Sequence, residues 1–85
     1  MKISYSKTFV KQVKKLNTQQ KKKLAKRVGL FVQNPDNPVL RCHGLKGEFT
    51  GWKSIDIAGD LRLLYIEKKD EIIFDQVGTH SQLYG

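Results

Sequence analysis

The stretch from Gly51 to Val77 allows few folds, because it holds three runs of strand-forming residues separated by short polar breaks. In the first run, Gly51 to Ala58, Lys53, Ile55 and Ile57 fall on one side and Trp52, Ser54 and Asp56 on the other. That is the period-two pattern of a strand with one buried face. Gly59-Asp60 reads as a tight turn, Leu61 to Glu67 as a second strand, Lys68 to Glu71 as another turn and Ile72 to Val77 as a third strand. Connections this short join antiparallel neighbours, so the segment predicts a three-stranded meander. A lone meander leaves its apolar face in water, and the rest of the chain must cover it.

The N-terminal half has what is needed. Lys2 to Tyr5 alternates and reads as a short strand, after which Ser6 can cap a helix running to about Leu16. Phe9, Val13 and Leu16 follow i, i+4, i+7 spacing and Val10 widens the stripe, while Lys7, Lys11, Lys14 and Lys15 take the wet face. Asn17 breaks this helix and Thr18 can cap a second, with Leu24, Val28, Phe31 and Val32 on one side and Lys21, Lys22, Lys23, Lys26 and Arg27 around the rest. The second helix should end near Asn34-Pro35, where a loop reaching Pro38 begins. The predicted class is α+β: a short N-terminal strand, two helices, then the antiparallel meander, with the helices packed on one sheet face and the other face open to a ligand. At 85 residues the chain has room for one domain, 1–85.

Charge narrows the partners. The net charge is +8, and ten of the sixteen Lys and Arg lie between Lys2 and Arg27, whereas the first acidic residue is Asp36. So one-sided a field attracts phosphate backbones, anionic lipid or an acidic protein. A composition of 39% hydrophobic residues is too apolar for a disordered tail and indicates a real core. Cys42 is alone, which excludes an internal disulfide and a multi-cysteine zinc site and points to a reducing compartment. Lysines interrupt every apolar run before Leu24 and no run approaches the ~18 residues of a membrane span, so a cytoplasmic protein is expected.

Cutting RNA without a metal requires a base for the ribose 2′-hydroxyl, an acid for the departing 5′-oxygen and cations for the phosphoryl oxygens. His43 and His80 are the only histidines, and imidazole can give or take a proton near neutrality. Each taken alone also has a plain solvated reading. Arg62 lies in the apolar run Leu61-Arg62-Leu63-Leu64-Tyr65, where a guanidinium needs a partner. That partner is either Asp56 across the hairpin, if the turn geometry puts them opposite each other, or a substrate phosphate gripped bidentately. Trp52 and Tyr84 can stack on unpaired bases, with Lys46 and Lys53 close by for phosphate. Two distant histidines and scattered carboxylates show no metal-ligand spacing, and no phosphate loop or dinucleotide fingerprint is present, so neither metal nor cofactor is expected.

The final block, Gly78-Thr79-His80-Ser81-Gln82-Leu83-Tyr84-Gly85, resembles the ending of the YafQ-like branch of RelE-type toxins from bacterial type II toxin-antitoxin pairs. His43-Gly44-Leu45-Lys46-Gly47 is similar to that family's His-Pro-Leu-x-Gly, and Asp60-Leu61-Arg62-Leu63-Leu64-Tyr65 to its Asp-x-x-Leu-x-Tyr strand, in family order. The resemblance implies a RelE-like fold and a metal-independent, ribosome-dependent mRNA endonuclease. Such a toxin cuts mRNA in the ribosomal A site, inhibits translation and is neutralised by a cognate acidic antitoxin that wraps its basic surface. It also implies His80 as the acid for the leaving 5′-oxygen, His43 and Asp60 as base or orienting groups, Arg62 against phosphate and Tyr84 as the terminal aromatic. Two positions depart from the pattern: Asp56 stands where the close branch has a further histidine, and Leu61 where an aromatic often follows the turn Asp. Asp56 can still accept a proton if its pKa is raised. The alternative is a non-catalytic RNA- or ribosome-binding module that uses the same lysines and aromatics.

Overall fold

The chain, described over residues 2–84 in a computed structural model, opens with β1 (Lys2–Tyr5), which stops where Ser6 turns to cap a helix. Ser6 Oγ accepts the Phe9 amide at 2.9 Å and donates to the Asp75 carbonyl at 2.6 Å. One hydroxyl thus starts α1 (Lys7–Lys15) and ties it to the far end of the sequence, a cap worth about 1 kcal/mol. The second helix, α2 (Thr18–Gln33), is capped by Asn17 rather than Thr18. Asn17 Oδ1 accepts the Gln20 amide while Gln20 Oε1 accepts the Asn17 amide, a reciprocal box closed to Thr18, whose partner three residues on would be Lys21, a side chain with no acceptor.

Beyond the loop, a 3-10 turn (Pro38–Leu40) leads to β2 (His43–Gly44), a second 3-10 turn (Gly47–Phe49), β3 (Trp52–Ala58), β4 (Leu61–Lys68), β5 (Glu71–Thr79) and a closing helix, α3 (His80–Tyr84). The five strands form one sheet in the order β1-β5-β4-β3-β2, with β1 parallel to β5 and every other pair antiparallel. The meander and the α+β class are as predicted. β2 is new, because two residues are too short for any periodicity to reveal.

α1 lies on β5 and α2 on β3, all on one face. Phe9, Leu24 and Phe31 from the helices meet Ile55, Ile57, Leu63, Tyr65, Ile72, Phe74 and Val77 from the sheet. Phe31 presents its edge to Tyr65 at 5.0 Å and to Phe74 at 5.9 Å, which adds about 0.5–1.5 kcal/mol per pair to the area buried. Val10 and Val32, expected to widen the two stripes, are instead 43% and 59% exposed. Each sits one residue past an aromatic that fills the core, Phe9 or Phe31, and the next position on a helix turns about 100° away. The sheet face opposite the helices is not fully open either. Leu64 of β4 and Leu83 of α3 are buried outside the main cluster. Among the described residues no helix is long and apolar enough to cross a membrane.

Candidate active site

The β3–β4 hairpin sets the first pair of charges. Gly59, at φ +52, supports a two-residue turn that pairs Ala58 with Leu61, yet Asp56 still stands opposite Arg62. Both hold because Ile57 is left out of register as a bulge, which shifts the strand by the one residue needed. Arg62 Nε lies 3.0 Å from Asp56 Oδ1, and Arg62 Nη1 donates to the Gly59 carbonyl at 2.7 Å. On the other oxygen, Arg41 Nε lies 3.7 Å from Asp56 Oδ2. One carboxylate therefore sits between two guanidiniums.

Arg41 also orients His43. It closes the 3-10 turn with φ +50, a left-handed conformation that costs a non-glycine residue about 1–2 kcal/mol. Its carbonyl is thereby brought 2.9 Å from His43 Nδ1. A carbonyl only accepts, so Nδ1 carries the hydrogen and the neutral ring keeps its free lone pair on Nε2. Cys42, between them, lies 2.9 Å from the Tyr65 hydroxyl and ties this segment to β4. Burial, with the Cys42 hydrogen bond second, pushes the Tyr65 phenol far above its ordinary value, and it stays protonated.

His80 is placed by a device at the end of β5. Thr79 Oγ1 accepts the Gln82 amide at 3.2 Å and Gln82 Oε1 accepts the Thr79 amide at 2.9 Å, so Thr79-His80-Ser81-Gln82 is a capping box that starts α3. The His80 amide donates to the Asp60 carbonyl at 3.1 Å, anchoring α3 to the hairpin turn. Gly78 lets it come close. A Cβ there would stand 3.0 Å from Gln82 Oε1 and 3.4 Å from Leu83 Cδ2.

These elements meet in a cavity of about 190 Å³ lined by His43, Leu45, Ser54, Arg62, His80 and Tyr84. The His80 and Tyr84 rings lie 4.7 Å apart, and Phe49 presses its edge on Tyr84 at 5.2 Å. Of the residues singled out in the sequence, His43, Arg62, His80 and Tyr84 come together here, with Asp56 behind Arg62 and Asp60 contributing its carbonyl. Trp52 lies beside the cavity, packed against Phe49 with its indole Nε1 donating to Asp75 Oδ2 at 3.0 Å. Lys46 is exposed on the loop after β2. Lys53 lies on the helix side of the sheet, away from the cavity, with Nζ 2.6 Å from Glu67 Oε1, a contact that raises its pKa. Leu45, Ser54 and Phe49 were not anticipated as site residues, since their place depends on β2 and α3.

The whole chain, residues 1–85, matches a family described as a bacterial toxin of type II toxin-antitoxin systems, YafQ. Among solved structures it is similar to Escherichia coli YafQ, with 28% identity over 98% of this chain and 97% of that one and a TM-score of 0.85. The E. coli DinJ-YafQ toxin-antitoxin complex is similar at 28% identity, covering 98% and 96% of the two chains with a TM-score of 0.82. A metal-bound toxin from Helicobacter pylori matches at 30% identity over 98% of both chains, with a TM-score of 0.75. Comparison with curated proteins finds no match.

Proposed function

Because the chain belongs to the YafQ family of bacterial type II toxins, we propose that it halts translation by cutting mRNA in the A site of the ribosome. The observation that carries this reading is the convergence of His43, Arg62 and His80 from three separate elements on one cavity. His43 Nε2, left basic by the Nδ1 contact, takes the proton of a ribose 2′-hydroxyl. The 2′-oxygen then bonds to phosphorus, Arg62 neutralises the phosphoryl oxygens, the bond from phosphorus to the 5′-oxygen breaks and His80 protonates that oxygen. The products are a 2′,3′-cyclic phosphate and a 5′-hydroxyl. No metal is needed in this scheme, since each proton and charge has its own side chain. Asp56, held between two arginines, serves as an orienting carboxylate. Asp60 acts through its backbone, holding the His80 amide. Tyr84 and Trp52 flank the mRNA bases and Lys46 draws in the phosphate chain, while the charge of Lys53 is taken up by Glu67. The test is induced expression with 5′-end mapping of cellular mRNA. New ends within ribosome-protected codons are expected, and growth arrest without them would favour the RNA-binding module.

The partner reading follows from the helices. Tyr5, Phe9, Val13, Leu24, Ala25 and Val28 line an apolar groove between α1 and α2, with Lys21 at its edge. No acidic residue occurs before Asp36. An acidic, amphipathic helix of the cognate antitoxin fits both the apolar floor and the lysine rim. Ala25 is exposed, so Ala25→Glu should leave the fold intact while placing a like charge in the path of that helix. Growth arrest should persist, and affinity for the co-expressed antitoxin should fall by about tenfold or more. Unchanged neutralisation would remove the groove from the interface.

A further inference from the structure

Ser54 is 1% exposed, and its Oγ is the buried side-chain polar atom left without a hydrogen-bond partner among the described residues. A desolvated hydroxyl with nothing to bond is costly, and an alanine would fill the same place on β3 without that cost. Its position says what it is for. Ser54 lines the cavity that holds His43, His80 and Arg62, and it pairs with His43 across the antiparallel β2–β3 ladder. Directly opposed residues project from the same sheet face with Cβ atoms about 4.5–5.5 Å apart. An atom bonded to Ser54 Oγ is therefore within reach of the His43 ring. On its other side Ser54 pairs with the buried Leu64, whose side chain offers the hydroxyl no polar partner.

We propose that Ser54 Oγ is a substrate-binding group that hydrogen-bonds the ribose 2′-hydroxyl at the scissile nucleotide. This rests on the mRNA-cleavage reading above. The 2′-oxygen is the substrate atom that must sit at His43, and a serine hydroxyl can donate to that oxygen while the imidazole accepts its proton. The contact holds the nucleophile at the base, and it is absent with deoxyribose.

Ser54→Ala separates this role from a structural one. In a His80→Ala background, where RNA stays intact, binding is measured to ribosomes programmed with mRNA carrying ribose or a single 2′-deoxyribose at the cut site. The protein with Ser54 should prefer ribose about tenfold, and Ser54→Ala should reduce that preference to about twofold or less. The melting temperature of Ser54→Ala should rise by about 2–6 °C as the orphaned hydroxyl is removed. Retention of the full ribose preference by Ser54→Ala overturns the proposal. So does a lowered melting temperature with equal loss on both substrates, which marks a purely structural serine. A changed base preference with intact ribose discrimination overturns it in favour of a contact to the base edge. Failure of the His80→Ala protein to bind programmed ribosomes at all overturns the underlying cleavage reading as well.

Discussion

His80→Ala is expected to abolish mRNA cleavage in translating cells, lowering the rate by roughly 10²–10⁴-fold, the usual contribution of a positioned acid. The fold should survive the change. His80 is exposed at the first position of α3, the amide that bonds the Asp60 carbonyl belongs to the backbone, and alanine favours a helix. The side-chain contact given up is with the Tyr84 ring. The purified variant should therefore melt within a few degrees of the wild type, its circular dichroism should be unchanged, and it should still bind the antitoxin. Mapping mRNA 5′ ends after induction distinguishes the outcomes. Cleavage at the wild-type rate would mean that the leaving oxygen takes its proton from elsewhere, and the assignment of His80 would fall.

The reason His80 is well placed was only partly visible beforehand. Thr79-x-x-Gln82 is a capping box in plain sight, but five helical residues are too few for apolar periodicity to mark α3 as a helix. The meander, both long helices and their cores were legible because each spans enough residues to repeat its pattern. Where a single residue decides, the pattern is silent. Whether Asp56 meets Arg62 depended on the bulge at Ile57, and alternation reads the same with or without it. Arg41 carries no sequence signal at all, since its role comes from a left-handed backbone that nothing in Leu40-Arg41-Cys42 announces. Ser54 was visible as the polar member of an alternating strand. Its burial was not, because β2 and α3 that enclose it could not be read.

The arrangement around Asp56 predicts a non-additive result. Arg62→Ala removes the guanidinium that meets the phosphate and should cost about 10²–10³-fold in cleavage, comparable to losing one donor to a developing anion. It does a second harm. Among the described residues Asp56 would then keep the distant Arg41 ion pair at 3.7 Å, leaving a poorly compensated carboxylate beside a site that must admit a phosphodiester. Removing that carboxylate as well should relieve the repulsion, so Asp56→Ala with Arg62→Ala should cleave about 3–30-fold faster than Arg62→Ala alone. Asp56→Ala by itself should be impaired less than Arg62→Ala, since Arg62 would retain its Gly59 carbonyl contact and its charge. Arg62→Lys keeps a charge but not the planar fork that reaches Asp56 and Gly59 together, and it should recover only part of the rate. Single-turnover cleavage by the four proteins on programmed ribosomes decides between the roles. If Asp56 were instead the proton acceptor, the double variant would be the slowest of the set, and the orienting role given to Asp56 would be withdrawn.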